Sequence, residues 1–573
     1  MNMNEKHDKY LPPLISFVIA FIFALPILLD WSYIGPRDWE LFVTMAAVPV
    51  KTVLHYGQFP FWNPYIGGGN ILFVHPEAAI LSPFFLICLL FGAIGGLKIQ
   101  VMLAWFIGFW GSHLFARRLG LSRVSSWLVS FTYFGSSYFA LHFAAGHMPF
   151  THFCFLPWLA YFVLKAKDNS KYILAGAFAA ALIVLGNGAA IPLLYTSFFV
   201  GMLMLLYSIR EKRYVYLKYF ILSILIGVLI SAVKFIPMYL ELSQFPWEGR
   251  TDDFTAVSLL PSIFFSFDQF LFKEMGAGHN WPWHEYGAYF SPLVFLLGLF
   301  AVIKMFRRLW IWLVLAVFFL IFGLGHYADL SLWNLFMKLP GFSSIRAPGR
   351  AFQFTVLSFG ILGGFGLDYI IKSQKDRIPS IKKLAYIVPV LIIAVNFGIN
   401  YRSLTEVDYK KPGEVQFRED FRQELGGVEE LYTQFQHNRG SLVAPWLSAY
   451  KPSRGIVMPD NTVMMEYILS GQAFVTYKKH TPNKVEYKLS TQTSGSIVFS
   501  IGYDKGWQAA DGRPVHEQQG LVAVNFKQGG DHIILEYRTP GFYLYLAISV
   551  IFLAGSIAVL VHPKLGERFK AIF

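Results

Sequence analysis

Residues 35–40 read Gly-Pro-Arg-Asp-Trp-Glu, and residues 59–70 read Phe-Pro-Phe-Trp-Asn-Pro-Tyr-Ile-Gly-Gly-Gly-Asn. Both lie in a segment, residues 34–77, that directly follows an apolar run and is too polar to enter a bilayer. This segment combines carboxylates and histidines with tryptophans and three consecutive glycines. A plain connector between two helices needs only a few residues, and long structured loops are usually functional. We therefore expect this segment to form half of a functional site, with the rest of the chain as its scaffold.

The composition indicates a polytopic membrane protein. Of the 573 residues, 55% are hydrophobic and 14% are charged, whereas about a quarter are charged in soluble proteins. Apolar runs of roughly 17 to 23 residues recur, and each is long enough to cross a bilayer as a helix. The net charge of +13 is carried by short basic clusters between these runs, which is typical of cytoplasmic loops and argues against a nucleic-acid partner. Cys88 and Cys154 both lie in apolar segments, so no disulfide framework or cysteine metal site is expected.

The distribution of basic residues predicts the orientation. Lys6 and Lys9 precede the first span, which lacks a cleavage site and is expected to stay as an anchor, so the N-terminus is cytoplasmic and Asp38 is outside. Residues 80–91 are expected to lie in the outer interface, because a crossing there would break the charge rule in every later loop. About twelve spans follow, near residues 11–29, 101–115, 125–142, 148–166, 172–187, 189–208, 215–237, 287–304, 309–325, 350–371, 384–401 and 541–561.

Three regions result from this assignment. Residues 1–401 form the membrane domain, with external loops at 31–100, 238–286 and 326–349. Residues 402–540 form an extracytoplasmic domain, in which a charged lead at 414–432 is expected to be helical. Runs with a period of two, separated by turn signals, then predict a β-sandwich. Residues 541–573 form the last span and a cytoplasmic tail, so both termini are inside.

The first external segment supplies the candidate catalytic residue. Asp38 lies just beyond the outer end of the first span, where a carboxylate can take a proton from an acceptor hydroxyl. The alternative is an ordinary solvated loop charge. Glu40, Trp62 and Asn63 of the same segment are candidate substrate contacts.

Histidines and carboxylates in three loops are candidate ligands. His75, Glu77 and His284 could together hold a divalent cation such as Mg²⁺ or Mn²⁺, the one cofactor considered, although the pattern does not define a site. His147, in a tight loop with His142, and the pair Trp283 and Glu285 are candidate substrate contacts. The alternatives are a polar edge, an interfacial histidine and an aromatic belt that anchors the helix.

Arg346 and Arg350 lie at the outer start of a predicted span, in the sequence Arg-Ala-Pro-Gly-Arg. Arginine is disfavoured on this side of the membrane, so an anionic partner is expected there. A guanidinium binds phosphate oxygens bidentately, which favours a lipid phosphate or pyrophosphate. Simple snorkelling to lipid headgroups is the alternative.

These motifs together resemble the YfhO-like family of bacterial membrane proteins. The resemblance is carried by Asp38 with residues 59–65 and the glycines that follow, by an arginine pair after the second span, and by Gly146-His147. It continues through residues 346–350 and a terminal pattern of Gly506-Trp507, Asp511-Gly512 and Pro540-Gly541-Phe542-Tyr543. That family is similar to the GT-C glycosyltransferases, which use polyprenyl-phosphate sugars on the outer face of the membrane and carry an acidic residue in the first external loop. Asp38 matches that position, but residues 38–40 read Asp-Trp-Glu rather than Asp-x-Asp, which leaves metal dependence open.

The resemblance implies a membrane glycosyltransferase of the bacterial cytoplasmic membrane. It would move a sugar from a polyprenyl-phosphate donor to a glycan or glycolipid acceptor of the cell envelope, with its active site on the outer face. A flippase or transporter for lipid-linked glycans is the first alternative, although the span interiors carry almost no ionisable residues. The second alternative is a non-catalytic envelope-assembly protein whose β domain captures a glycan.

Overall fold

A computed structural model describes residues 3–243, 252–274, 280–327, 331–339, 341–373, 379–413, 420–426, 431–442 and 455–572. The α-helices are Met3–Leu29, Trp39–Leu54, Pro83–Arg118, Arg123–Tyr133, Ser137–Ala144, Leu156–Lys165, Tyr172–Leu185, Ile191–Glu211, Val215–Ile230, Ala232–Leu242, Leu260–Phe265, Pro292–Gly323, Leu332–Met337, Phe352–Ser373, Pro379–Thr405, Leu431–Gln436, Phe542–Val561 and Pro563–Ile572. Short 3₁₀ helices are Met148–Phe155, Val257–Leu259, Trp283–Glu285, Phe342–Ser344 and Pro348–Ala351.

Seven helices among the described residues are long and apolar enough to cross a membrane, or eight if one bent pair counts as a single span. The bent pair is Val215–Ile230 with Ala232–Leu242, at 90°. The predicted number of about twelve is not confirmed. One reason is that two predicted spans are broken: residues 125–142 form two helices, and residues 148–166 begin as a 3₁₀ helix. Each piece is too short to cross a bilayer alone.

The apolar helix Pro292–Gly323 is kinked at Met305, where φ is −137° and ψ is 32°. Its two halves run along the neighbouring span Pro348–Ser373 in opposite directions. The contacts are Val294 with Gly363, Leu297 with Gly366, Ala316 with Thr355, and Phe352 with Gly323. The chain therefore reverses near the kink, so that residues 292–304 and 306–323 correspond to two of the predicted spans.

Residues 83–91 form a short helix of their own. The chain breaks at Gly92, whose φ of 75° belongs to the left-handed region that glycine tolerates. A Cβ at Gly96 would collide with Cys88, so the short helix folds back onto the start of the following one. Leu86 and Leu90 are exposed on its outer side. This shape agrees with the interfacial assignment made from charge.

The C-terminal region is rich in strands, as predicted. One four-stranded antiparallel sheet has the order Val515–Gln518, Leu521–Phe526, Gly495–Gly502, Glu466–Ser470, and a second has the order Trp507–Ala509, Asp531–Tyr537, Lys484–Thr491, Ala473–Thr481. Representative register pairs are Ile497 with Val524 and Val485 with Leu535. The Tyr487 ring of the second sheet packs on Phe499 of the first, at 4.8 Å between centroids. The sandwich as a whole stays a prediction.

The predicted helical lead at 414–432 is wrong at Arg422–Glu424, although its last two residues begin a helix, Leu431–Gln436. Arg422–Glu424 is a strand that pairs in parallel with Arg439–Ser441, because the backbone hydrogen bonds of this stretch go to another segment. Residues 414–419 and 427–430 lie outside the described residues. The remaining two-stranded pairs are Trp62–Asn63 with Asn70–Ile71, and Ile456–Val457 with Val463–Met464.

The glycine-rich half of the first external segment packs onto the strand-rich domain. Gly67, Gly68 and Gly69 all have positive φ, which allows the backbone to approach closely. The Gly68 carbonyl accepts from Gly502 N at 3.0 Å. Lys51, at the end of the preceding helix, donates to Asn438 Oδ1 at 2.9 Å. These contacts hold the strand-rich domain against the helix Trp39–Leu54, which directly follows Asp38.

Candidate active site

Asp38 caps the helix Trp39–Leu54 and is fixed to the turn after Ser137–Ala144. Its backbone N–H donates to Ala145 O at 3.0 Å. The neighbouring Trp39 is fully buried, and its Nε1 donates to Phe143 O at 3.1 Å. Gly146 has φ 81°, and a Cβ there would lie 2.4 Å from Trp39 N. Only glycine allows this approach, which brings the residue after it to the Asp38 carboxylate.

That next residue is His147, which connects Asp38 to a second histidine. His147 Nε2 lies 3.3 Å from Asp38 Oδ2, and His147 Nδ1 lies 2.8 Å from His142 Nδ1. An ionised carboxylate only accepts, so a neutral His147 carries its hydrogen on Nε2, and its Nδ1 accepts from His142. His142 is fully buried and stacks on Phe150 at 3.9 Å between centroids. The three side chains therefore form one hydrogen-bonded row.

This row sets the charge state of Asp38. Burial by itself would raise the pKa of its carboxyl. The hydrogen bond from His147, together with the electrostatic interactions that Asp38 makes with His147 and His284, outweighs burial, so the pKa of Asp38 lies below its ordinary value. The side chain keeps 30% of its exposure, so it is open to a ligand. Asp38 is thus an ionised and accessible carboxylate at neutral pH.

Glu285 and Arg350 form a buried ion pair beside the histidines. Arg350 Nε donates to Glu285 Oε2 at 2.7 Å, and its Nη2 donates to Oε1 at 2.5 Å. Both side chains are at most 4% exposed. Burial would raise the pKa of Glu285, but the Arg350 charge and hydrogen bonds hold it well below its usual range. Arg350 Nη1 is buried with no hydrogen-bond partner among the described residues.

His284 lies between this ion pair and the histidine row. Its ring centroid is 4.9 Å from that of His147, and its Nε2 lies 4.0 Å from Glu285 Oε1. Burial, together with the His147 charge, lowers the pKa of His284 to about 3. His284 is therefore neutral at neutral pH, and the positive charge paired with Glu285 is that of Arg350.

Arg346 differs from Arg350 in its surroundings. It is half-buried and lies over the Trp281 ring, at 5.3 Å from the centroid. Burial and the nearby Arg350 charge lower the pKa of Arg346, while the carboxylates of Glu285, Glu77 and Asp38 act in the opposite direction. Its guanidinium therefore lies within electrostatic range of Asp38, Glu77 and Glu285.

Glu77 is a second carboxylate within range of Asp38. Burial and the Asp38 charge raise the pKa of Glu77 to about 7. The loop that carries it is held by Lys234, whose ammonium donates to Ala78 O and to Gly186 O, each at 2.5 Å. His75 is buried, and its Nδ1 accepts from Glu77 N at 3.2 Å. Burial and the charge of Lys234 lower the pKa of His75 to about 3.

The structure brings together Asp38, His147, His284, Glu285 and Arg350, with Arg346 and Glu77 within range of their charges. The other predicted residues lie elsewhere. Glu40 Oε2 accepts from Tyr432 N at 3.0 Å, because residues two apart on a helix point in different directions.

Trp62 and Asn63 are buried in the first external segment. Trp62 packs on Trp507 and Tyr537 of the strand-rich domain, and Asn63 Oδ1 accepts from Tyr65 N. Trp283 is also buried, and its Nε1 donates to Gln269 Oε1 at 2.9 Å. In the structure these side chains pack and support loops, and they do not face Asp38 in any contact described.

The predicted cation ligands His75, Glu77 and His284 are not grouped together. The histidines and carboxylate that do come within 4.8 Å of one another are His142, His147 and Glu285. Their arrangement does not fit a divalent cation, since the two imidazoles share one hydrogen bond and both Glu285 oxygens accept from Arg350. Cation dependence stays a prediction from the sequence, without support in this geometry.

Sequence reasoning gave no role to two residues that the structure places here. His142 stood only as a neighbour of His147, although the spacing of five residues across a Gly turn is the signal that could have paired them. Lys234 lies near the end of the predicted span 215–237, a position that by itself gives no sign of a role beside Asp38. Its buried contacts depend on three segments distant in sequence.

Comparison with known proteins supports the family resemblance found in the sequence. Residues 461–549 match the family model for the bacterial membrane protein YfhO. The match confirms the YfhO resemblance over these residues, and with the apolar helices it identifies a multi-pass membrane protein. No protein of curated function matches the chain.

Two solved structures of the arabinofuranosyltransferase AftD from mycobacteria, one of them of a mutant, are similar to this chain. Their TM-scores are 0.40 and 0.42, at 12% and 14% sequence identity. The similarity covers 69% and 68% of this chain but 26% and 27% of theirs. The chain thus spans about a quarter of the length of these structures.

Proposed function

We propose that this protein is a membrane glycosyltransferase that moves one sugar from a polyprenyl-phosphate donor to an extracytoplasmic glycan or glycolipid of the cell envelope. The observation that carries the proposal is the accessible Asp38 carboxylate, held ionised by His147 at 3.3 Å and placed within range of the arginines. A base and a phosphate ligand in one external site are what sugar transfer from a phosphate donor needs.

Asp38 is the general base of this reaction. The acceptor oxygen forms a bond to the anomeric carbon while the bond from that carbon to the phosphate oxygen breaks. The acceptor proton passes to Asp38, and the electron pair leaves with the polyprenyl phosphate. His147 and His142 hold the carboxylate in an orientation in which its free oxygen faces the acceptor.

Arg346 is the main ligand of the donor phosphate. Negative charge develops on the phosphate as it leaves, and a guanidinium stabilises it bidentately. Arg350 contributes through its unpartnered Nη1, while its other nitrogens hold Glu285. The charge on the leaving group is thus met by arginine, and no step requires a cation.

The test uses the purified full chain in nanodiscs. Wild type and Asp38→Asn are incubated with a panel of polyprenyl-phosphate sugars, with and without a chelator, and donor consumption is measured. We expect wild type to consume one donor, to keep that activity in the chelator, and to lose it in Asp38→Asn. Consumption by both forms would remove Asp38 from the mechanism, and loss in the chelator would restore the cation.

A wild-type protein that consumes no donor would contradict the transferase. The flippase alternative is then tested with the protein in sealed vesicles instead of nanodiscs. Movement of a lipid-linked glycan from one leaflet to the other would identify a flippase. Binding without movement or turnover would identify the assembly protein.

A further inference from the structure

A groove of about 1390 Å³ opens between the first external segment and the strand-rich domain. We define the groove by His55, Tyr56 and Gln58 on one side and by residues 420–425, 461–466, 477–481, 484 and 486 on the other. It is larger than the pockets of roughly 300 to 1,000 Å³ that hold small ligands. None of its lining residues belongs to the Asp38 site.

The two walls of the groove are fixed to each other by hydrogen bonds. Gln58 Nε2 donates to Thr481 Oγ1 at 2.9 Å, and Gln58 Oε1 accepts from Asn483 N at 3.2 Å. Asn483 Oδ1 accepts in turn from Trp62 N at 3.0 Å. The groove is therefore a preformed feature rather than a gap between two independent parts.

Among the residues that the structure describes, the lining of the groove has no net charge, although the whole chain carries +13. Its lining contains four carboxylates and four lysine or arginine side chains. Several of them pair with each other, as Lys478 does with Glu466 at 3.0 Å and Arg422 with Asp420 at 3.4 Å. A polyanion, such as a phosphate polymer, finds no excess of positive charge here. The lining favours a neutral polar ligand.

Polar atoms in the groove are held in place. Glu466 accepts from Lys478 Nζ and, at 3.0 Å, from Tyr487 OH. Tyr487 OH itself lies 2.7 Å from His480 Nε2. Glu466 is thus an oriented acceptor with two partners, and it keeps 15% of its side-chain exposure toward a ligand.

Apolar faces lie beside these polar atoms. Tyr477 is 42% exposed, and Met464 and Leu425 are each 37% exposed. A sugar ring presents hydroxyl groups along its edge and C–H groups on its face, so it matches oriented acceptors next to an exposed aromatic ring. A lipid chain would displace water from these charged pairs and offer them no hydrogen bonds in return.

The groove and the Asp38 site lie at opposite ends of one helix. Trp39–Leu54 has Asp38 as its N-cap and His55 as its C-cap, and its 16 residues span about 24 Å at 1.5 Å per residue. A ligand that reaches both sites must therefore be several sugars long.

We propose that the groove binds a neutral glycan chain, and that this chain is the acceptor whose end reaches Asp38. The second half of this proposal rests on the proposed function, whereas the first half is independent of it.

The test measures binding by isothermal titration calorimetry with the full chain in nanodiscs. The probes are neutral hexasaccharides of glucose, N-acetylglucosamine and galactose, and a poly(glycerol phosphate) of similar length as the anionic comparison. The variants are Tyr477→Ala and Glu466→Gln in the groove. Phe474→Ala is the matched control, because Phe474 lies on the same strand, is 68% exposed and does not line the groove.

We expect one neutral hexasaccharide to bind better than the polyanion, with little dependence on salt. Loss of the Tyr477 ring should weaken binding by about fivefold to tenfold, and Glu466→Gln should also weaken it, while Phe474→Ala and Asp38→Asn leave it unchanged. No binding of any neutral probe, stronger binding of the polyanion, or equal binding by the groove variants would overturn the proposal. Asp38→Asn is expected to remove turnover and to leave glycan binding unchanged. Absence of glycan binding therefore contradicts the groove proposal, whereas retained turnover in Asp38→Asn contradicts the proposed transferase.

Discussion

The Asp38 site and the groove balance their charges in different ways. In the Asp38 site the charged groups are buried, and Glu285 and Arg350 are at most 4% exposed. In the groove the pairs are open to solvent, as with Arg422 and Asp420 at 73% and 65% exposure. A buried charge without its partner is costly, whereas an exposed pair contributes little. The first region should therefore be sensitive to single substitutions of charge, and the second should depend on shape and on its aromatic face.

The largest effect is expected at Asp38. Asp38→Ala removes the base and should lower donor turnover by about 10²- to 10⁴-fold, while glycan binding in the groove stays the same. Turnover is measured with the donor identified in the panel. Glu40→Ala is the matched control, because Glu40 contacts Tyr432 of the strand-rich domain, and it should keep turnover. Equal losses in the two variants would mean that the helix, not the carboxylate, is what matters.

Substitutions of Arg350 and Arg346 are expected to differ, because the first should affect stability and the second should affect turnover. Arg350→Gln leaves Glu285 buried without its ion pair, which should lower the free energy of unfolding by about 3–5 kcal/mol. Thermal unfolding of the detergent-purified protein measures this loss. Arg346→Gln, at the half-buried position, should keep the melting temperature and lose donor turnover. A stable Arg350→Gln variant would show that the ion pair is not the support of the site.

His142 tests the hydrogen-bonded row. His142→Phe keeps the stack on Phe150 but removes the donor to His147, and it should lower turnover by about 10- to 100-fold, as the loss of an orienting partner does elsewhere. His142→Asn places an amide donor near the position of Nδ1 and should keep more activity. The acid limb of the pH–rate profile should shift to higher pH in the Phe variant, because Asp38 then loses part of the interaction that lowers its pKa. Equal activity of the Asn and Phe variants would argue against the hydrogen bond.

The smallest effect concerns Glu77, whose pKa is raised to about 7 from an ordinary value of 4.5. Between these values the folded protein binds more protons than the unfolded chain, so the stability contribution of Glu77 falls as the pH rises through this window. Glu77→Gln should therefore raise the melting temperature more at about pH 8 than at about pH 5. A gain that is the same at both values would contradict the raised pKa.

Much of this molecule can be predicted from its sequence because the signals are local. Apolar length and the clustering of basic residues identify a membrane protein, and the same charge pattern predicts that residues 80–91 do not cross the membrane. Alternation with a period of two identifies the strands of 466–537. The break at Gly92 follows from a backbone conformation that glycine adopts easily. The strand at Arg422–Glu424 could not be predicted in this way, because its partner at Arg439–Ser441 satisfies its hydrogen bonds only after the chain has folded.

From the sequence alone, Asp38, His147, Glu285 and the two arginines are predicted to lie in external loops and to supply a base and a phosphate-binding group. Only the tertiary structure decided which of them meet. Gly146 lets the turn approach Trp39 so that His147 reaches Asp38, and the close contact of Gly349 with the Glu285 backbone brings Arg350 to Glu285. It also decided that Trp62 and Asn63 pack against the strand-rich domain. The physical reason is that side chains choose partners by the packing of distant segments, which leaves no periodic signal in the chain.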